Sequence, residues 1–236
     1  MIKIYQHKDL GHHDMGWLDA RYHFSFADYH NADRMGFGAL RVINDDVVKA
    51  GAGFDMHPHR DMEIITYIRQ GAITHKDSFG NEGRTAAGDV QVMSAGTGIY
   101  HSEFNLESDD TRLFQIWIHP QEKGVKPRWD SCRFPKQATK GSLPLLVSGR
   151  NADAEQGALY IHQDAMIYGG RLDQGTQLTH VIHQQAYLLV SEGQIQLNDH
   201  LLSTGDGAEV TDVDTVTIQA VTEAELVIID VPKHIK

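Results

Sequence analysis

The sequence has little cysteine and no long apolar segment, and each shortage excludes a class of protein. The single cysteine, Cys132, cannot form a disulfide within the chain, which excludes a disulfide-stabilised scaffold. No apolar run approaches the roughly 18 residues of a membrane-spanning helix, and the first 17 residues lack the apolar stretch of a secretion signal. We therefore expect a soluble, cytoplasmic protein without a membrane partner.

Basic residues are also scarce relative to acidic ones. The 21 Lys and Arg residues against 32 Asp and Glu residues give a formal net charge of −11. No block of five or six like charges occurs, so the acidity belongs to a surface rather than to a tail. Because this sign disfavours contact with phosphates, we predict no direct binding of nucleic acid. A protein partner remains open.

Histidine is abundant, and two pairs spaced by two positions define the candidate site. His57 and His59 form one pair, and His101 and Glu103 form the other. Side chains at i and i+2 of a β-strand leave the same face about 7 Å apart, so two such pairs on neighbouring strands can direct four donors to one point. Three imidazoles and a carboxylate suit divalent iron, manganese, nickel, copper or zinc. They also leave exchangeable positions on a six-coordinate metal, as catalysis requires.

The residues around the pairs strengthen this interpretation. With 15 histidines in 236 residues, about one HxH pair is expected by chance, so the spacing of neighbouring residues carries the argument. Gly51 lies six residues before His57, and Glu63 lies four residues after His59. The remaining positions of the frame are Gly71, Gly88, Gly98 and Asn105.

This frame resembles the two motifs of the cupin superfamily, G-x5-HxH-x3-E-x6-G and G-x5-PxG-x2-H-x3-N. The sequence departs from them by one extra residue before Gly71, two extra residues after Gly88, and Gly96 in place of the proline.

The rest of the first half reads as short strands separated by turns. We predict strands at residues 2–5, 40–43, 62–68, 73–75, 90–93 and 113–119. Asn44, Asp45 and Asp46 are predicted to form a turn, and Gly80-Asn81 a hairpin. Short strands every 8 to 12 residues with glycine-rich turns are typical of a sandwich or barrel.

Other conspicuous side chains are interpreted as structural. His12, His13 and Asp14 are assigned to a solvated loop, and His23 to a structural role or to support of a ligand. Six aromatic residues are interpreted as wall and core residues: Trp17, Tyr22, Phe24, Phe26, Tyr29 and Phe37.

The second half of the chain is interpreted as a degenerate repeat of the first. Residues 122–144 hold three of the six prolines and are interpreted as a linker. Residues 187–193 then echo 64–71, and Gly205-Asp206 echoes Gly88-Asp89. His180 and His183 lie three positions apart, on opposite faces of a strand, and are interpreted as structural. We predict a metal-binding domain at residues 1–135 and a domain without a metal site at 136–236.

Two cupin modules of which only the first carries ligands resemble the pirin family. The strings that carry the resemblance are MGFGALRVINDD (35–46), HPHRDMEIITY (57–67) and SAGTGIYHSEFN (94–105). The resemblance implies an all-β fold of two tandem jelly-roll barrels. It also implies His57, His59, His101 and Glu103 as metal ligands, leaving Glu63, at the usual cupin glutamate position, as a barrel residue or a neighbour of the ligands.

The chain resembles bacterial pirin-like proteins with quercetin 2,3-dioxygenase activity. This implies one divalent metal, with Fe(II) as the first expectation and Mn, Ni, Co, Cu or Zn also compatible. A flavonol would lose its 3-hydroxyl proton to Glu103 and react with O2, opening the ring and releasing CO. The alternative is a pirin-like regulator that binds transcription factors and uses the metal as a redox or structural element. An isomerase on the same scaffold is a third possibility.

Overall fold

The computed structural model describes residues 1–234, which consist almost entirely of β-strands. Its helical segments are a short 3-10 helix, His7–Asp9, and one turn of α-helix, α1 (Asn151–Ala154). No helix among residues 1–234 is long and apolar enough to cross a membrane.

Strands between residues 11 and 132 form the first module. Its large sheet has the order β12-β9-β6-β11-β4-β3-β2 and its small sheet the order β5-β10-β7-β8. The bounds are β2 (Gly11–Asp14), β3 (Leu18–Tyr22), β4 (Leu40–Val48), β5 (Gly53–His59), β6 (Glu63–Gln70), β7 (Ala72–Asp77), β8 (Glu82–Ala86), β9 (Val90–Ser94), β10 (Ile99–Phe104), β11 (Thr111–Ile118) and β12 (Arg128–Cys132).

The second module repeats this plan. Its sheets have the orders β1-β20-β17-β22-β15-β13-β14 and β16-β21-β18-β19. The bounds are β1 (Ile2–Tyr5), β13 (Leu145–Ser148), β14 (Leu159–Tyr160), β15 (Met166–Leu172), β16 (Gln177–Val181), β17 (Gln185–Glu192), β18 (Gln194–Leu197), β19 (His200–Ser203), β20 (Gly207–Val210), β21 (Thr215–Ala220) and β22 (Ala224–Val231).

The two sheet orders confirm the internal repeat. The series β9-β6-β11-β4 matches β20-β17-β22-β15, and β5-β10-β7-β8 matches β16-β21-β18-β19. The echoed glycines also form the same turn: the Gly88 N–H donates to the carbonyl of Ile68, and that of Gly205 donates to Val190. The all-β fold of two cupin modules predicted from the sequence is confirmed.

Two strands near the ends of the first half have partners or positions that the sequence did not predict. The predicted strand at Ile2–Tyr5 exists, but it pairs with β20 and therefore lies in the sheet of the second module. Residues 122–144, interpreted as a linker, contain β12, which pairs with β9 of the first module. The proposed division between residues 135 and 136 remains a prediction.

The two large sheets pack face to face and bury an extensive apolar layer. It includes Ile65, Phe114 and Ile116 from the first module and Leu189 and Ile229 from the second. Several polar groups at its margin are paired, which offsets the cost of burying them. The Tyr67 hydroxyl donates to Glu225 at 2.7 Å, and Arg171 donates to the other oxygen of the same carboxylate at 2.7 Å.

Two local predictions are wrong. Asn44, Asp45 and Asp46 form no turn, because β3 and β11 flank them on both sides and supply backbone partners that carry β4 on to Val48. Asp45 faces the second module and pairs with Arg69. His12, His13 and Asp14 are exposed as predicted, but they belong to β2 rather than to a loop.

Candidate metal centre

The predicted ligands lie on two neighbouring strands of the small sheet. Strands β5 and β10 are antiparallel and place His57 opposite His101. The register shifts between His101 and Glu103, so that β5 carries one extra residue there. Such bulges re-aim side chains, and here the bulge brings the carbonyl oxygen of Asp55 to 2.6 Å from His57 Nδ1.

Three histidines converge on one point. The ring centroids of His57, His59 and His101 are 4.5 to 4.9 Å apart. One ring nitrogen from each lies within 4.8 Å of the others, and the Nε2 atoms of His57 and His101 are 3.1 Å apart. Each imidazole thus directs a nitrogen toward the same small volume.

Hydrogen bonds orient two of these rings. Since a carbonyl only accepts, Nδ1 of His57 carries the proton and Nε2 keeps its lone pair. His75 does the same for His101: its Nε2 donates to Asp77 at 3.1 Å, and its Nδ1 lies 3.4 Å from His101 Nδ1. This leaves Nε2 of His101 free as well. His75 and Asp77, which are also spaced by two positions, were not predicted from the sequence.

Two histidines of the cluster, His59 and His101, are uncharged at neutral pH. Burial lowers the pKa of His59 to about 4, with smaller contributions from His101 and His57. Burial and the neighbouring histidines lower the pKa of His101 to about 3. Neutral imidazole is the form that binds a metal, so the donor set fits a divalent cation.

Glu103 lies beside this cluster and is held by side chains of the large sheet. Gln91 and Gln115 donate to its two oxygens at 2.6 and 2.9 Å. The Thr66 hydroxyl lies 3.1 Å from an oxygen of Glu103 and 3.1 Å from the side-chain oxygen of Gln115. Its single proton can be donated to one of these two acceptors at a time.

Glu103 does not lie in the group formed by His57, His59 and His101, although the spacing predicted all four side chains at one point. An oxygen of Glu103 lies within 4.8 Å of ring nitrogens of His101 and His75, but the three-histidine group does not include it. Of the other predicted ligands, Glu103 is therefore grouped with His101 alone. Its role as a metal ligand remains a prediction.

Glu63 lies on the opposite side of the large sheet. It faces the layer between the modules, where the Ser94 hydroxyl donates to Oε2 at 2.7 Å and Oε1 has no partner among residues 1–234. Burial raises the pKa of Glu63 to about 7. Of the two roles left open by the sequence, a barrel residue away from the ligands agrees with this position. His23 lies in the same interface, with Nδ1 2.9 Å from the Tyr187 hydroxyl.

The histidine cluster opens into a cavity of about 680 Å³. Its walls include six aromatic side chains: Trp17, Tyr22, Phe26, Phe54, Phe104 and Trp117. This agrees with the interpretation of three of the aromatic residues near the N-terminus as wall residues. Asn44 and Asp46 also line the cavity, and burial raises the pKa of Asp46 well above its usual range.

The second module has aliphatic side chains where the first has ligands. Strands β16 and β21 correspond to β5 and β10, and they bury Leu178, Val216 and Ile218 inside the module. His180 is buried against Tyr168, with ring centroids 4.7 Å apart. Within residues 1–234, both groups of three possible metal ligands belong to the first module.

Two family models match the chain. One described as Pirin matches residues 4–118, and one described as Quercetinase C-terminal cupin domain matches residues 145–231.

Individual relatives match over nearly the full length. A Zymomonas mobilis protein that bears quercetin 2,3-dioxygenase as a provisional name is 51% identical over 231 residues, which is 97% of each chain. A quercetin 2,3-dioxygenase of Escherichia coli K12 is 42% identical over 235 residues, 98% of this chain and 99% of that one. The crystal structure of bacterial pirin YhhW from Escherichia coli in complex with nickel(II) is similar at a TM-score of 0.91 and 42% identity, covering 98% and 99% of the two chains.

Proposed function

The chain belongs to the pirin family of cupin proteins, and from that premise we propose that it is a metal-dependent dioxygenase acting on flavonols such as quercetin. It would open the heterocyclic ring with O2 and release CO. The observation that carries the proposal is the convergence of three imidazoles at a cavity of about 680 Å³ with aromatic side chains in its walls. The name of the Escherichia coli relative supports the choice of substrate.

The site fits one divalent ion, held by His57, His59, His101 and Glu103. Fe(II) is the first candidate, and the nickel complex of the related pirin supports a wider choice. When bound, the ion supplies a Lewis acid for the substrate oxygens and a redox partner for O2. The orientation of His57 by Asp55 and of His101 by His75 presents lone pairs to it.

Glu103 has the position to accept the 3-hydroxyl proton of the flavonol. Its Oε2 accepts one hydrogen bond, from Gln115, and so keeps a lone pair. Transfer of the proton to Oε2 would leave an electron-rich flavonolate, the form that reacts with O2. Gln91 and Thr66 hold the other oxygen in place during the transfer. The aromatic walls would pack against the flat rings and exclude water.

The test is aerobic incubation of metal-assayed protein with quercetin, following flavonol absorbance and CO release together. We expect both signals from the wild type, neither from His101→Ala, and wild-type signals from His180→Ala, a buried histidine of the second module. A metal-replete wild type that leaves quercetin unchanged in air would overturn the proposal and favour a regulatory role.

A further inference from the structure

A row of polar side chains crosses the inner face of the large sheet. Cross-strand pairing places Gln91 beside Thr66, Thr66 beside Gln115, and Gln115 beside Asn44. The first three hold the Glu103 carboxylate. Asn44 extends the row by one strand, about 4.8 Å, into the part of the cavity beyond Glu103.

Asp46 lies on the same face of β4, two residues from Asn44 and hence about 7 Å further along the strand. Its cross-strand neighbours, Ala20 and Leu113, are apolar. Both polar residues line the cavity, and they are 4% and 2% exposed. Yet Oδ1 of Asn44 and Oδ1 of Asp46 are buried without a hydrogen-bond partner among residues 1–234.

Unpaired oxygens in this position require a reason. Most buried side-chain oxygens have a partner, because an unpaired one destabilises the fold. Apolar side chains would fit among Ala20 and Leu113 without that penalty. Since the two oxygens share one cavity, the missing partner is best sought in a molecule that occupies it.

We propose that Asn44 and Asp46 accept hydrogen bonds from hydroxyl groups on the part of the substrate remote from the metal. The cavity would then select polyhydroxylated flat aromatic molecules over analogues without those hydroxyls. The inference rests on the proposed function, since it takes the 3-hydroxyl of the central ring to be the group that faces the histidines. A site built to bind a substrate hydroxyl discriminates against an analogue lacking it, because its own buried groups then stay unpaired.

The test compares two ligands by anaerobic titration calorimetry with metal-loaded protein, so that binding is measured without turnover. 3-Hydroxyflavone has only the hydroxyl that would face the metal, whereas quercetin adds hydroxyls on both outer rings. The variants Asn44→Leu and Asp46→Leu replace each acceptor by an apolar group of similar shape. Asp19→Asn is the control, since it removes one carboxylate from the adjacent strand β3 on the exposed side.

We expect the wild type to bind quercetin about 10- to 100-fold more tightly than 3-hydroxyflavone. Each leucine variant should lose about 10-fold in quercetin affinity and change 3-hydroxyflavone affinity by less than about 3-fold. Asp46→Asn, which retains an acceptor, should keep most of the preference, and Asp19→Asn should keep all of it.

Four results would overturn the inference. Equal affinity of the wild type for the two ligands, or an unchanged preference in both leucine variants, would do so and leave the proposed function standing. Loss of 3-hydroxyflavone binding in the leucine variants would mean that the pair supports the cavity instead of binding remote hydroxyls. Wild-type protein that binds neither ligand would overturn the inference and the proposed function together.

Discussion

His75 links the candidate ligand His101 to a carboxylate. It is fully buried, stacks on Trp129 with ring centroids 4.9 Å apart, and lies between Asp77 and His101. Partners of this kind fix the tautomer and orientation of a metal-binding histidine. In most such sites the carboxylate or carbonyl contacts the ligand directly, as the carbonyl of Asp55 contacts His57.

We predict that His75→Phe weakens metal binding about 10- to 100-fold. Phenylalanine keeps the stacking on Trp129 but offers no acceptor for Nδ1–H of His101. The affinity is measured by competition with a chromogenic chelator, with circular dichroism to verify folding. His180→Phe, a buried histidine against Tyr168, is the matched control and should bind metal like the wild type. An unchanged affinity in His75→Phe would remove His75 from the metal centre.

Glu103 adjoins the histidine cluster, with an oxygen within 4.8 Å of a ring nitrogen of His101, whereas Asp77 accepts a hydrogen bond from His75. We predict that Glu103→Gln lowers the rate per bound metal by about 10² to 10⁴-fold, the usual cost of losing a general base. Turnover of quercetin is normalised to metal content, because Gln91 and Gln115 would face an amide that is a poorer acceptor. Glu63→Gln, on the far side of the sheet, should keep nearly full rate. A metal-bound Glu103→Gln protein at full rate would show that another group takes the proton.

At the scale of elements, the two faces of strand β6 have different surroundings. Ile64 and Thr66 face the cavity, while Glu63, Ile65 and Tyr67 face the second module. A carboxyl in this apolar layer is favoured in its neutral form. Burial therefore raises the pKa of Glu63 from 4.5 to about 7, although Ser94, the backbone of His162 and the charge of Arg128 oppose the shift.

This shift predicts a pH-dependent stability. The folded chain holds the Glu63 proton up to about pH 7, whereas the unfolded chain releases it near 4.5. The stabilisation by neutral Glu63 is therefore complete below about pH 4.5 and is lost as the pH rises through about 7. The glutamine of Glu63→Gln stays neutral at every pH. The free energy of unfolding of this variant, relative to that of the wild type, should therefore increase as the pH rises across this range, by on the order of 3 kcal/mol above pH 7.

Urea unfolding of both proteins between about pH 5 and 8 measures this difference. The exposed substitution Glu82→Gln is the control and should give a difference that does not vary with pH. A pH-independent difference for Glu63→Gln as well would mean that Glu63 ionises normally in the folded protein.

At the scale of the whole molecule, two modules of one plan have different interiors. The first module leaves an open cavity with polar groups on its inner face, and the second is filled by aliphatic side chains such as Leu178 and Ile218. The apolar layer between the large sheets, with β1 crossing to the second module, joins them. The filled module then contributes stability to the open one through this layer.

We predict one metal ion per chain. Elemental analysis should give one equivalent for the wild type and for His180→Ala, and close to none for His57→Ala or His101→Ala. The reason is that the counterparts of β5 and β10 in the second module direct aliphatic side chains inward. Two equivalents per chain, retained after exhaustive dialysis, would contradict the prediction.

The sequence by itself determined the features that depend on local spacing. Alternation of apolar residues located most strands, and pairs spaced by two positions put His57 with His59 and His101 with Glu103, because successive strand residues point to opposite faces. Glycines at turns such as Gly88 and Gly205 revealed the repeat. The departure at Gly96 also has a local cause, since its φ of +44° is closed to proline.

Only the tertiary structure decided which groups meet across strands. Spacing within a strand shows which side chains share a face, but not what lies opposite that face. It could not show that Glu63 faces the other module, that His75 contacts His101, or that β1 pairs with β20. The Asn-Asp-Asp stretch read as a turn because its flanking strands come from distant parts of the chain. The polar row that ends at Asn44 likewise joins four strands, and long-range pairing alone sets its register.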